Sequence, residues 1–258
     1  LSEQLLADIL AERGKQPKMA LQAVLQPNPV SWTANSHQAV IPLALEDLSS
    51  DLYLYNPQAG TFKRLSERFQ QEFAPLWAPG QNWLVFQEVN SYATPDEWKI
   101  SLVGAWKMPK QDELRYLFEP KATGNWEHYV GWLTPEELVS YTATETGGTD
   151  LHLSNRGTGK SVVLFYGAFN SVALDPAHGS IAVSVNSADG KISGRKPGIY
   201  FSKSGGLLFY LLMEGEFEHL EFAPEVGHFI ATGKSGVLQF DGNGILTRLE
   251  ADQRISFS

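Results

Sequence analysis

The sequence contains no cysteine, which excludes disulfide bonds, thiolate metal ligands and a cysteine nucleophile. It also lacks an apolar run near the roughly 18 residues that a membrane-spanning helix requires. The longest candidate, LLFYLLM at 207–213, has the length of a strand. Basic residues are fewer than acidic ones, 20 against 29, and the net charge of -9 argues against a surface for nucleic acid or an anionic membrane. We therefore expect no nucleic-acid partner and no membrane span.

Motifs for catalysis and for cofactor binding are scarce as well. No G-x-S-x-G nucleophile elbow occurs. NRGTGKS at 155–161 has Ser154 where a phosphate-binding loop needs its first glycine, and DGNG at 241–244 lacks the further acids of a calcium loop. The six histidines do not have the spacing of a helical zinc motif. The sequence thus predicts no catalytic residue, no metal and no cofactor.

The chain does contain a repeat, comparable in length to WD-type repeats. Five segments share a short apolar stretch ending in a large residue, then a turn, then a second apolar run. They are VSWTANSHQAVI (30–41), PLWAPGQNWLVF (75–86), VGWLTPEELVSY (130–141), VALDPAHGSIAV (172–183) and LEFAPEVGHFIA (220–231). The large residues, which we call the anchors, are Trp32, Trp77, Trp132, Leu174 and Phe222. Their separations of 45, 55, 42 and 48 residues match a four-stranded propeller blade. We expect the three tryptophan anchors to pack between sheets.

The second half of each repeat has the pattern of a β-hairpin. SDLYLYNPQAGTFKRLS (50–66) and TDLHLSNRGTGKSVVLF (149–165) alternate apolar and polar residues on both sides of a turn. Asparagine and glycine supply the positive φ that such turns need. The sequence therefore predicts an all-β fold, a β-propeller with about five recognisable four-stranded blades, over residues 28–258. The predicted blades lie near 28–70, 71–122, 123–168, 169–216 and 217–250.

The two ends lie outside this repeat. For residues 1–27 the sequence predicts an extension that consists of a short helix, SEQLLADILAER at 2–13, and a strand. Residues 252–258 resemble the start of a further strand. Two alternatives follow: an incomplete or truncated sixth blade, or a ring of five blades that both termini close.

The repeat resembles that of the TolB-like β-propeller family. WAPGQNWLVF, LDPAHGSIAV and FAPEVGHFIA are similar to its W-S-P-D-G segment and following strand, and LYLYNPQAG and LHLSNRGTG are similar to its hairpin. No copy keeps P-D-G, and two anchors are not tryptophan. The resemblance implies an extracytoplasmic scaffold of the cell envelope, periplasmic in setting, that binds other proteins.

The candidate binding residues lie in three long segments that a meander of four strands brings to one face of the propeller. These segments are 87–99, 119–129 and 186–198. They combine two tryptophans outside the anchor positions with charged side chains, the usual composition of a recognition surface. The candidates are Asp96, Glu97, Trp98, Trp126, His128, Lys191, Arg195 and Lys196.

Three functions fit the sequence, because propellers host all of them. The first is a non-catalytic module that binds a protein or peptide through this face. The second is a five-bladed glycan-active hydrolase, for which carboxylates such as Asp96, Glu97 and Glu127 could pair. The third is the accessory domain of a larger peptidase. We expect the first, and the oligomeric state stays open.

Overall fold

A computed structural model of the chain describes residues 30–33, 37–44, 50–65, 70–79, 83–90, 100–107, 114–116, 127–144, 146–203 and 208–250. The predicted N-terminal extension at 1–27 and the predicted final strand at 252–258 lie outside these ranges. No helix in the described part is long and apolar enough to cross a membrane.

Five four-stranded antiparallel sheets make up the described part of the chain, and in each sheet the strands follow one another in sequence order. The first contains β1 (Ser31–Trp32), β2 (Ala39–Ala44), β3 (Ser50–Asn56) and β4 (Thr61–Arg64). The second contains β5 (Gln70–Trp77), β6 (Trp83–Asn90), β7 (Ile100–Lys107) and β8 (Leu114–Tyr116). The third contains β9 (Glu127–Trp132), β10 (Glu137–Ala143), β11 (Thr149–Asn155) and β12 (Lys160–Gly167). The fourth contains β13 (Phe169–Asp175), β14 (Ser180–Val185), β15 (Gly198–Ser202) and β16 (Tyr210–Glu214). The fifth contains β17 (His219–Ala223), β18 (His228–Gly233), β19 (Gly236–Asp241) and β20 (Leu246–Glu250). This architecture confirms the predicted all-β propeller fold.

The same turn chemistry recurs in equivalent hairpins. Between β3 and β4, the Oδ1 atom of Asn56 accepts hydrogen bonds from the backbone N–H groups of Gln58 and Ala59, at 3.0 and 3.1 Å. Between β11 and β12, Asn155 makes the corresponding bonds two and three residues on, both at 3.0 Å. Each hairpin then closes on a glycine with positive φ, 62° and 67°. The asparagine and the glycine of each turn thus determine the conformation of this hairpin in both repeats.

The chain divides into two compact units, Leu1–Trp126 and Glu127–Ser258. In the first unit, side chains of the first and second sheets form one buried cluster: Val40, Leu52, Leu65, Trp77, Leu84 and Phe86. The Trp77 backbone N–H donates to the Ser31 hydroxyl at 3.1 Å, which ties β5 to β1. Burial of apolar surface between neighbouring sheets is what holds this unit together.

In the second unit, one buried cluster joins the third and fourth sheets and another joins the fourth and fifth. The second cluster is centred on three fully buried rings, those of Phe201, Phe229 and Phe240. Phe229 and Phe240 stack with centroids 5.1 Å apart, and Phe201 meets both edge-on at 5.9 and 5.8 Å. The fourth sheet therefore packs on both faces.

The anchor prediction is confirmed for two of the tryptophans and wrong for the third. Trp77 and Trp132 are buried, with 7% and 6% of their surface exposed. Trp32 is 50% exposed. The two-residue strand β1 turns Ser31 inward instead, so that alternation along the strand directs Trp32 to solvent.

Candidate functional site

A cleft of about 340 Å³ opens between the third and fourth sheets, at the beginnings of β9 and β13. We call it the aromatic cleft. Its lining comes from β9, β10, β11 and β13: Tyr129, Val130, Tyr141, Thr149, Phe169, Asn170, Ser171 and Val172. Because the strands of each sheet alternate in direction, two further segments lie at this end of the third and fourth sheets. They are the connection from β12 to β13 and the loop from β14 to β15.

The rings of Tyr141 and Phe169 form one wall of the cleft, and they belong to a longer row of aromatic rings. The exposed His128 ring stacks on Tyr141, with centroids 5.1 Å apart and planes at 26°. Tyr141 meets Phe169 edge-on at 5.9 Å and 78°, and Phe169 meets Phe165 in the same way at 6.1 Å and 71°. Such pairs contribute about 0.5–1.5 kcal/mol each beyond the area that they bury. The wall is therefore a rigid surface that an apolar side chain can pack against.

The hydroxyl group of Tyr141 is a hydrogen-bond donor held at this wall. Burial raises the pKa of Tyr141 above 10.0, since desolvation disfavours the phenolate. A tyrosine hydroxyl is protonated at neutral pH even at its ordinary pKa of about 10, so this group can donate. Among the residues that the structure describes, none hydrogen-bonds to this hydroxyl.

Polar side chains at the start of β13 are held in place by β17, by the connection that leads into β17 and by the loop that follows β14. The Asn170 side-chain amide donates to the Phe217 carbonyl at 3.1 Å, and its Oδ1 accepts from Asn186 at 2.9 Å. The Ser171 hydroxyl donates to the Leu220 carbonyl at 3.0 Å and accepts from the Leu220 N–H at 3.2 Å. Both groups are thus fixed before any ligand arrives, which lowers the entropy cost of recognition.

The loop between β14 and β15 lies beside the cleft and contains the one-turn helix α1 (Asp189–Ile192). We call residues 186–197 the α1 loop. The buried Asp189 carboxylate accepts a hydrogen bond from the Ala168 N–H at 2.7 Å. The Arg195 guanidinium donates to the Tyr166 carbonyl at 2.7 Å and lies 4.4 Å above the Phe165 ring. These contacts attach the loop to the connection that leads into Phe169.

The structure describes four of the eight residues predicted for the site. His128 is exposed in β9 at the rim of the cleft, and Lys191 is exposed in α1. Arg195 holds the α1 loop in place. Lys196 bonds Glu214 at 2.8 Å, and the pKa of Lys196 is raised by this hydrogen bond and by the carboxylate charge.

The other four predicted residues lie outside the described part of the chain: Asp96, Glu97, Trp98 and Trp126. Tyr129, Tyr141, Phe169 and Asn170 were not predicted, although the aromatic cleft is built from them. For Tyr129, Phe169 and Asn170 the available signal was their position, three to five residues before an anchor, where the first strand begins and neighbouring repeats meet. Tyr141 lies in the second strand of its sheet and carries no such signal.

A second polar cluster lies at the opposite ends of the strands, in the turn between β13 and β14. The fully buried Asp175 accepts hydrogen bonds from the Ala177 and His178 N–H groups at 3.0 and 3.3 Å. Its other oxygen lies 2.6 Å from His178 Nδ1. Gly242 packs against both side chains, and a Cβ atom there would collide with the carboxylate. This cluster fixes the turn against the fifth sheet.

Within the described ranges, no group of three or more His, Asp or Glu side chains is placed to hold a metal ion.

Comparisons with known proteins find the fold but no close relative. Neither a protein-family model nor a curated protein matches the sequence. TolB from Acinetobacter baumannii matches with a TM-score of 0.53 and 14% identity, over 85% of this chain and 53% of that chain. The β-propeller domain of the Trilobed protease from Pyrococcus furiosus matches with a TM-score of 0.57 and 13% identity, over 88% of this chain and 71% of that chain. Oligogalacturonate lyase from Vibrio parahaemolyticus matches with a TM-score of 0.52 and 10% identity, over 83% of this chain and 64% of that chain.

The chain thus spans 53% of the matched TolB chain and 64% of the matched lyase chain. At these identities the likeness lies in the arrangement of the strands. The resemblance predicted from the repeat is confirmed at that level, and the chain has the TolB-like β-propeller fold.

Proposed function

We propose that this chain is a non-catalytic binding module that recognises a protein or peptide through the aromatic cleft and the α1 loop beside it. The observation that carries the proposal is the combination in one cleft of a ring wall with the Tyr141 hydroxyl, which no described residue engages. Tyrosine is enriched at protein interfaces because one side chain offers both an apolar face and a polar end.

A peptide fits the chemistry of the cleft better than a charged small molecule. The eight lining residues include no carboxylate and no basic group. Aromatic faces accept an apolar side chain, while the Tyr141 hydroxyl can donate to a backbone carbonyl. Lys191 adds positive charge in the α1 loop beside the cleft, which favours partners with acidic residues near the contact. Asp96, Glu97, Trp98 and Trp126 stay predicted binding residues of the segments that contain them.

The extracytoplasmic setting that the family resemblance implies is also part of this proposal, and TolB among the matched structures supports it at the level of the fold. The same comparisons keep the two alternatives in view, since they include a lyase acting on oligogalacturonate and the propeller domain of a protease. Neither is favoured by the cleft, whose lining lacks the paired carboxylates of a glycosidase.

The proposal is tested by selecting peptides from a phage-displayed random library on the immobilised full chain. Affinities of the enriched peptides are then measured by fluorescence anisotropy on wild type and variants. Tyr141→Phe removes one hydrogen bond, worth about 0.5–1.5 kcal/mol, and we expect binding to weaken about two- to tenfold. His128→Ala removes the ring that stacks on Tyr141 and should also weaken binding.

Two matched variants serve as controls. Tyr210→Phe removes an exposed hydroxyl on β16, and His219→Ala removes an exposed imidazole on β17. Neither residue lines the aromatic cleft, so both should leave peptide affinity unchanged. Failure to enrich any peptide, or equal affinity for all four variants, would contradict recognition through the cleft.

A further inference from the structure

A second pocket, of about 460 Å³, lies along the first strands of the third, fourth and fifth sheets. We call it the anchor pocket, because the anchors of these sheets line it: Trp132 on β9, Leu174 on β13 and Phe222 on β17. Pro176 and Pro224, which directly follow β13 and β17, line it as well. The surface of the anchor pocket is therefore mainly apolar, and burial of an apolar ligand side chain there is favourable.

The anchor pocket adjoins the aromatic cleft, because Val130 of β9 and Val172 of β13 line both. The cleft lies at the beginnings of these two strands, whereas the pocket extends to the ends of β13 and β17. Phe169 in the cleft and Leu174 in the pocket are five residues apart on one strand, which corresponds to about 17 Å. The two cavities thus form one groove along β13.

An extended peptide fits the length and the composition of this groove. A peptide in the β conformation advances about 3.3 Å per residue, so about five residues separate a side chain in the cleft from one in the anchor pocket. Asn170 and Ser171 lie between Phe169 and Leu174 on β13 and line the groove with polar side chains. The Asn170 amide has a second N–H beyond the one that it donates to Phe217, and this N–H can bond a peptide carbonyl.

The two ends of the groove carry opposite charges. Lys191 is exposed in the α1 loop beside the aromatic cleft. Among the described residues that line the anchor pocket, Glu221 is the only charged one, and its side chain is 57% exposed. The His219 imidazole lies 3.7 Å from the Glu221 carboxylate, which is too far for a hydrogen bond, so a ligand cation can still reach this carboxylate. These charges favour a peptide that is acidic at the cleft end and basic at the pocket end.

We propose that the groove binds an extended segment of a partner protein at two points. A large apolar side chain packs in the aromatic cleft, and a second one, about four to six residues away, packs in the anchor pocket beside a basic residue that pairs with Glu221. This two-point recognition rests on the proposed function, since its first point is the aromatic cleft. The second contact adds affinity without a further loss of overall motion, because both side chains belong to one peptide.

The peptides enriched on the immobilised chain, labelled with fluorescein, are the probes. We expect them to share two large apolar residues about four to six positions apart, with lysine or arginine next to one of them. Glu221→Lys should weaken the binding of such a peptide about tenfold in fluorescence anisotropy, because it brings like charges together. Exchanging the basic residue of the peptide for glutamate should restore its affinity for this variant. A structural role of Glu221 would not permit that rescue.

Glu218→Lys is the matched control, because Glu218 carries the same charge, is 64% exposed and lines neither cavity. It changes the net charge equally and should leave the affinity unchanged. The near-UV circular dichroism of each variant checks its fold. Glu221→Gln, which removes the charge and keeps the size, should weaken binding about two- to fivefold and preserves the test if Glu221→Lys unfolds.

Shortened peptides that keep only the apolar residue for the cleft separate this proposal from the proposed function. They should bind more weakly, still respond to Tyr141→Phe and no longer respond to Glu221→Lys. Full peptides that respond to Tyr141→Phe but not to the Glu221 variants, that respond equally to Glu218→Lys, or that show no rescue would overturn two-point recognition and leave binding at the cleft intact. Failure to enrich any peptide would overturn both.

Discussion

Trp77 and Trp32 occupy the same position of the repeat but differ in burial. We expect their substitution to show that burial, rather than position in the repeat, determines the loss of stability. Trp77→Ala empties a buried site and should lower the free energy of unfolding by about 3–5 kcal/mol. Trp32→Ala removes a half-exposed ring and should cost about 1 kcal/mol. Urea denaturation measures the free energy of unfolding of both variants.

For the predicted loop tryptophans, Trp98→Ala and Trp126→Ala should leave the melting temperature nearly unchanged. Losses equal to that of Trp77→Ala would mean that these two tryptophans are core residues.

Asp175 shows how much one buried carboxylate can contribute to a turn. It accepts two backbone hydrogen bonds and contacts His178, and none of its surface is exposed. Asp175→Ala leaves two N–H groups without their acceptor, and we expect a loss of about 1–3 kcal/mol in the free energy of unfolding. His178→Ala should cost less, because the imidazole is half exposed. A double-mutant cycle isolates the coupling of the pair, and a larger effect for His178→Ala would contradict this account.

At the scale of the element, the α1 loop is held in place by two of its own side chains, Asp189 and Arg195. Arg195→Ala removes the bond to the Tyr166 carbonyl and the contact with the Phe165 ring. We expect faster hydrogen exchange across 186–197 as a result, because the loop loses an attachment while the strands keep theirs. Lys191→Ala, in the same loop, removes an exposed side chain and should leave the exchange rates unchanged. Equal effects would mean that backbone bonds alone hold the loop.

The elements were easier to predict from the sequence than the cleft between them. The N-P-Q-A-G and N-R-G-T-G turns carry their own geometry, because asparagine and glycine satisfy local backbone needs. The one-turn helix α1 was missed because four residues are too few for a helical period. The aromatic cleft depends on Tyr141 meeting Phe169 across two sheets, a contact between residues 28 positions apart that no local pattern encodes.

At the scale of the whole molecule, the repeat specifies the fold with few fixed residues. Each sheet needs only alternation, a turn and an apolar face against its neighbour, and many sequences satisfy these conditions. This explains why solved structures with very different sequences share the fold.

The excess of acidic residues governs how whole molecules meet in solution. At pH 7 the net charge is -9, and the isoelectric point of the sequence is near 5.2. As the pH falls towards that value, carboxylates take up protons, histidines become charged and long-range repulsion between molecules disappears. Static light scattering should therefore give a second virial coefficient that is clearly positive at about pH 7.5 and low salt, and lowest near pH 5.

Salt provides the control for this last prediction. The Debye length is about 10 Å at 0.1 M salt, so added salt at neutral pH should screen the repulsion and lower the coefficient in the same direction. A second virial coefficient that changes with neither pH nor salt would show that short-range contacts, rather than net charge, control the interaction between molecules.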